Sequence, residues 1–172
     1  MSERTGVITF QGNPLTLIGP EIKVGDAAPD FTVAANDMSP ATMADYAGKV
    51  LIIAAVPSLD TPVCDMETRR FNTEAAALGD DVKILTISMD LPFAQARWCG
   101  AAGVEAVQTL SDHAGASFGE NWGTLIKELR LLARAVFVVG KDGKVVYVEY
   151  LKEITEEPDY AAALEAARQV VG

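Results

Sequence analysis

The sequence predicts an α/β protein: a mixed central sheet flanked by helices, with an N-terminal β-hairpin. Three observations carry this. Apolar runs rich in branched residues stand at Val50–Ala55 and Val82–Ser88, too apolar for a sheet with one wet face. Helical stretches follow each run, so crossovers join the strands and make them parallel. Late in the chain Gly140-Lys141-Asp142-Gly143 separates two β-branched runs, a strong hairpin signal that adds antiparallel strands.

The elements follow in order. Val7–Gln11 and Leu15–Ile18 alternate around Gly12-Asn13-Pro14, which predicts the N-terminal hairpin, a cover or an edge. Gly25–Pro29 is a turn, Asp30–Ala34 a short strand, and Met43–Gly48 one helical turn stopped by glycine. After the strand at 50–55 a helix runs from Pro62 to Leu78, with Thr61 as candidate N-cap. After the strand at 82–88 a second helix starts at Asp90-Leu91-Pro92, with Asp90 as cap, and Cys99 lies near its end. Val107–Ser111 is a short strand and Ser117–Gly123 a glycine-punctuated loop or single turn. Pro158 opens the last helix, where Tyr160, Leu164, Ala167 and Val171 share one face.

At 172 residues, 49% hydrophobic and 22% charged, the chain is long enough for one real core and is not disordered. A net charge of −10 argues against nucleic acid or an anionic membrane as partner. No apolar run approaches the ~18 residues that span a bilayer. Met1–Gly6 lacks a basic segment followed by an apolar one, so no secretory signal and a cytoplasmic location are expected. Two cysteines are too few for a disulfide framework. With one histidine, His113, and no Cys/His cluster, neither a metal nor a cofactor is expected. The same scarcity removes Cys–His and Ser–His–Asp catalysis unless His113 reaches Cys64.

The informative stretch is Val56-Pro57-Ser58-Leu59-Asp60-Thr61-Pro62-Val63-Cys64. Cys64 falls in the first turn of the predicted helix, where free N–H groups and the positive helix dipole favour thiolate. Cys64, Phe71, Ala75 and Leu78 recur at helical spacing and share a face. Glu67, Arg70 and Glu74 are expected to point elsewhere and to pair along the helix. Local pattern leaves a second reading open, a small apolar core cysteine near a helix start.

The βαβ…ββα order, with a lone cysteine one turn into the first main helix, resembles the thioredoxin-like fold of the peroxiredoxins. Their motif P-x-x-x-T-x-x-C is present as Pro57, Thr61 and Cys64. Ser58–Cys64 followed by Thr68-Arg69-Arg70-Phe71-Asn72 is similar to the thiol peroxidase subfamily. So are Arg97-Trp98-Cys99, where an aromatic other than Trp is more usual, and Leu131–Ala135 around Arg134. The N-terminal hairpin and Val24–Phe31 fit as well. The resemblance implies a single peroxiredoxin domain over 1–172, with residues 1–19 as the hairpin extension. It implies an enzyme reducing hydrogen peroxide and organic hydroperoxides in antioxidant defence, a homodimer, with thioredoxin returning the electrons. Cys64 would be the peroxidatic cysteine and Cys99 the resolving one, through an intramolecular disulfide.

The chemistry needs such residues. Only a thiolate attacks the peroxide O–O bond well, and a free thiol is mostly protonated at neutral pH. The helix start, the Arg134 guanidinium, and a Thr61 hydroxyl donating to sulfur or to a peroxide oxygen would all favour negative charge there. Pro57 would shield the sulfur and stiffen the loop. Plainer readings stand beside these: Thr61 as a simple cap, Arg134 as a snorkelling surface residue, Pro57 as a loop proline, Cys99 as a core cysteine. Arg134, if buried, needs a partner. For Cys99 to reach Cys64, one or both helix ends must unwind. Two rival functions are a disulfide oxidoreductase, disfavoured by the missing C-x-x-C, and a peroxide sensor or redox-switched holdase without steady turnover.

Overall fold

The computed structural model of the chain describes residues 2–75, 77–104 and 106–171. Strands β1 (Glu3–Phe10) and β2 (Asn13–Ile18) pair antiparallel as the N-terminal hairpin. Then come β3 (Thr32–Ala34), β4 (Pro40–Thr42), a 3₁₀ turn at Met43–Tyr46, β5 (Val50–Ala55) and helix α1 (Pro62–Ala75). Next are β6 (Val82–Ser88), α2 (Pro92–Ala102), β7 (Val107–Ser111) and α3 (Ser117–Asn121). The chain closes with β8 (Leu125–Ile126), β9 (Ala135–Val139), β10 (Val145–Tyr150) and α4 (Tyr160–Val171).

Among the described residues, seven strands form one sheet in the order β10-β9-β5-β6-β7-β3-β4. β5, β6 and β7 run parallel, as the crossover helices demand, while β9 runs antiparallel to β5 and to β10. The sheet is therefore mixed. The hairpin adds β8 to form a separate small sheet. β4 and β8, three and two residues long, are too short to leave a periodic signal and are absent from the sequence reading.

The pleat sorts each central strand onto two cores. Leu51, Ile53 and Ala55 face one side, with Leu85, Ile87, Phe137 and the ring stack of Phe118 and Trp122. Val50, Ile52 and Ala54 face the other, with Phe71, Val136, Tyr160 and Leu164. Both faces are dry, which explains why β5 and β6 read as unbroken apolar runs. Among the described residues no helix is long and apolar enough to cross a membrane.

Four expectations shift. Glu67 does not point outward with Arg70 and Glu74; it is fully buried, while Arg70 and Glu74 pair at 3.8 Å on the surface. Burial pushes this carboxyl toward its neutral form, with the Arg134 guanidinium opposite, as described below. Asp90 does not cap α2; Leu91 holds that position without a side-chain cap, and Asp90 turns back to the β5–α1 connection. Pro158 precedes α4 rather than opening it, and Asp159 Oδ1 accepts the Ala162 N–H at 3.0 Å as the cap. α1 ends at Ala75; Ala76 and the Ala75 side chain, placed on the helix by pattern, lie outside the described residues.

Candidate active site

β5 is buried along its whole length and delivers the chain at its C-terminal end to residues 56–61, the usual ligand edge of an open α/β sheet. Asp90 organises this connection. Its Oδ1 accepts the Ser58 hydroxyl at 2.7 Å; its Oδ2 accepts the Leu59 N–H at 2.9 Å and the Ser88 hydroxyl at 2.7 Å. Pro62 then starts α1, where its missing N–H costs nothing. Thr61 Oγ1 accepts the Cys64 N–H at 3.4 Å, as a cap does, and donates to the Ser58 carbonyl at 2.9 Å. Its hydroxyl hydrogen is thus aimed at a carbonyl rather than at sulfur.

Cys64 is fully buried against Val56 and Leu59, with Trp98 packed on the cluster. Thr68 Oγ1 donates to the Cys64 carbonyl at 2.8 Å. Arg134 enters from just before β9, and its fork serves three groups. Nη2 donates to Cys64 Sγ at 3.0 Å and Nε to the Ile154 carbonyl at 2.8 Å. Nη1 lies 3.7 Å from Glu67 Oε1, too far for a hydrogen bond, so that attraction is coulombic. Burial pushes the Glu67 carboxyl up to about 8, against the opposing pull of Arg134. The shift favours the neutral carboxyl, and the same guanidinium faces the sulfur.

Beside the site lies a largely apolar pocket of about 310 Å³, walled by Phe10, Pro57, Pro62, Val63, Leu131 and Ile154, with Thr61 and Arg134 on its polar edge; Cys64 itself is buried behind this lining. Pro57 is buried. Phe10 comes from the tip of the hairpin, which is pinned where it crosses residues 152–154. Thr9 N–H donates to the Lys152 carbonyl at 2.7 Å and Ile154 N–H to the Thr9 carbonyl at 3.0 Å.

The fold brings Pro57, Thr61, Cys64 and Arg134 together. Cys99 has a different neighbourhood. It is half-buried on α2, its Sγ lies 3.3 Å from Thr109 Oγ1, and both cysteines are free. His113 donates through its backbone N–H to Ser111 Oγ at 3.4 Å, and among the described residues no hydrogen bond joins it to Cys64. Among the described residues no three His, Cys, Asp or Glu side chains are grouped to hold a metal ion. Sequence reasoning missed Glu67, Asp90 and Phe10. Glu67 had a signal: it stands one helical turn after Cys64, and a buried Arg134 demands an acid. Phe10 had none, because its place depends on a contact far away in the chain.

The chain matches the redoxin family model over residues 23–164. It is 61% identical over 164 residues to the thiol peroxidase of Bacillus subtilis (strain 168), covering 95% of this chain and 98% of that one. Against the thiol peroxidase of Staphylococcus aureus (strain MRSA252) it is 56% identical, covering 95% and 98%. Among solved structures it is similar to a peroxiredoxin-like protein from Aquifex aeolicus, with TM-score 0.90, 42% identity and 98% of both chains covered. The thiol peroxidase from Chromobacterium violaceum shares the fold, with TM-score 0.84 at 20% identity, over 94% of this chain and 95% of that one. A buried cysteine at a helix start, faced by a guanidinium, lies within the matched segment, and the chain belongs to the redoxin family, as a thiol peroxidase of the peroxiredoxin superfamily.

Proposed function

We propose that this chain reduces hydrogen peroxide and organic hydroperoxides at Cys64 and is recycled by thioredoxin through a Cys64–Cys99 disulfide. The carrying observation is the Arg134 Nη2 donor 3.0 Å from a buried sulfur at a helix start. The Cys64 thiolate attacks one peroxide oxygen, the O–O bond breaks, and the leaving oxygen takes a proton to become water or an alcohol. Sulfur is oxidised to Cys–SOH and the peroxide is reduced. Arg134 counters charge on sulfur and on the departing oxygen; such fixed donors are typically worth ~3 kcal/mol. The Thr61 hydroxyl joins them once it turns from the Ser58 carbonyl, and Pro57 keeps water off the sulfur. The apolar wall of Phe10, Val63, Leu131 and Ile154 suits the hydrocarbon part of an organic hydroperoxide.

In the second step the Cys99 thiol attacks Cys–SOH, the S–S bond forms, and water leaves. Thioredoxin then returns two electrons. The working form is a cytoplasmic homodimer in antioxidant defence, with exposed Leu91 and Phe93 at the head of α2 as apolar surface for the partner copy. The test is peroxide consumption with thioredoxin and its reductase. Cys64→Ser should abolish it, and Cys99→Ser should allow one turnover without recycling. Full activity in Cys64→Ser would reject the assignment, and one equivalent consumed by the wild type with no steady state would mark a sensor instead.

A further inference from the structure

The two free cysteines are flanked by a second pair of residues that also meet across the helices. Asp65 follows Cys64 on α1, and Trp98 precedes Cys99 on α2. Trp98 Nε1 donates to Asp65 Oδ1 at 2.9 Å. The other carboxylate oxygen accepts Arg69 Nε, also at 2.9 Å. The Arg69 guanidinium lies 5.7 Å from the centre of the Trp98 ring and donates from Nη1 to the Ala102 carbonyl at 3.4 Å. Asp65, Arg69 and Trp98 thus close a triangle that clamps α2 onto α1. The indole itself packs on the cluster that contains Cys64.

Neighbouring residues on a helix point about 100° apart. With Trp98 turned to Cys64, Cys99 must turn away, and it does: its sulfur faces Thr109 Oγ1. The Thr109 hydroxyl donates to Asn36 Oδ1 at 3.0 Å, which leaves its oxygen to accept from the Cys99 thiol. A disulfide needs Cα atoms within roughly 7 Å and sulfurs in bonding contact. In the structure the residue of α2 packed on the Cys64 cluster is Trp98, while the Cys99 sulfur is held at Thr109.

We propose that Trp98 is the latch of the resolving step: its ring and its bond to Asp65 hold Cys99 away from Cys64, and their release sets how fast the disulfide closes. The inference rests on the reading of Cys64 and Cys99 given above. Trp98 touches neither peroxide nor the reacting oxygen; it is a positioning residue. While the latch is shut, Cys64–SOH persists and a second peroxide can carry it on to the sulfinic acid. A tighter latch therefore means slower resolution and more overoxidation.

The test uses the full chain reduced, mixed with one equivalent of hydrogen peroxide, quenched with an alkylating reagent and weighed by mass spectrometry over time. Trp98→Phe keeps a ring on the cluster and removes the bond to Asp65. It should speed disulfide formation about fivefold, the change that a net hydrogen bond of about 1 kcal/mol confers. The rate of sulfenic acid formation should stay within about twofold, and less sulfinic acid should accumulate at excess peroxide. Arg69→Leu loosens the same triangle from its exposed side and should act in the same direction, which guards against a misfolded Trp98→Phe protein. Disulfide closure at the wild-type rate or slower in both variants overturns the latch. A wild type that never forms the Cys64–Cys99 bond would instead overturn the resolving role of Cys99.

Discussion

Glu67 and Arg134 stand 3.7 Å apart with both side chains buried, and the same guanidinium touches Cys64 Sγ at 3.0 Å. One cation thus faces two groups, an acid and a thiol. Removing a carboxylate from water costs more than a single contact at this range repays, so burial pushes Glu67 toward its neutral form although Arg134 pulls the other way. The Glu67 carboxyl is raised from its ordinary value to about 8 by burial.

That shift has a sign that can be measured. The folded protein holds a proton on Glu67 that the unfolded chain gives up above the ordinary carboxylate range. The contribution to stability is complete below about 4.5 and is lost as pH rises toward about 8. Glu67→Gln carries an uncharged amide at all pH values. The difference in unfolding free energy between wild type and Glu67→Gln should therefore move against the wild type across this window, by at most ~1.4 kcal/mol per pH unit. Denaturant titrations at pH 5, 6, 7 and 8 read it directly; a constant difference would mean that Glu67 is ionised throughout.

Arg134→Ala removes the donor on sulfur, the donor on the Ile154 carbonyl and the cation facing Glu67 in one step. Peroxide consumption should fall about 10²- to 10³-fold, the usual cost of losing an oxyanion donor. Stability should fall by about 1–3 kcal/mol, because the buried Ile154 carbonyl loses its donor. Arg134→Lys keeps the charge but not the planar fork, so it should recover part of the stability and little of the rate. Stopped-flow consumption and urea midpoints separate the two effects. Equal rates for the two variants and the wild type would remove Arg134 from the chemistry.

How much of this was legible beforehand follows from the range of each interaction. The alternation of helix and strand was readable because branched apolar runs and Gly/Pro punctuation are local. Cys64 at the start of α1 was readable for the same reason: Thr61 and Pro62 mark a helix start within three residues. Glu67 was misread because an acid between Cys64 and Arg70 looks like part of a wet face until its distant partner is known. Asp90 was misread because an Asp two residues before a proline fits a cap, and nothing nearby says that Ser58 and Leu59 compete for it. β8 is held by pairing with β2 rather than by its own pattern. The roof of the pocket, Phe10, follows from a hairpin docked on residues 152–154, a contact no window of sequence contains.

Asp90 should therefore matter more to the loop before Cys64 than to α2. Asp90→Ala frees the Ser58 hydroxyl, the Leu59 N–H and the Ser88 hydroxyl together. Charge-assisted bonds of this kind are each worth ~1.5 kcal/mol or more, and three are lost, so the protein should lose about 4 kcal/mol or more. Hydrogen exchange should speed up most at Leu59 and the neighbouring amides of residues 58–61, with the amides of residues 95–102 on α2 little changed. Fraying confined to the start of α2 would restore Asp90 to the capping role.

The hairpin offers a test of the pocket that leaves the sulfur alone. Glu153 fastens the hairpin tip: it accepts the Gly12 N–H at 2.9 Å and the Thr9 hydroxyl at 3.0 Å, and also binds Thr155. Burial works against its charge, but the Gly12 and Thr155 N–H groups prevail and hold it down at about 2. A depressed carboxylate stabilises above its ordinary range and loses that contribution as pH falls from about 4.5 toward about 2, so the hairpin should loosen on the acid side. Glu153→Gln imitates that loosening at neutral pH. With Phe10 less firmly placed over Ile154 and Leu131, the enzyme should lose about threefold to tenfold in kcat/KM for a bulky aromatic hydroperoxide. Hydrogen peroxide, too small to touch the apolar wall, should be consumed at nearly the wild-type rate. The discriminating number is the ratio of the two rates, and a ratio unmoved in both Glu153→Gln and Phe10→Ala would show that the hairpin takes no part in choosing the substrate.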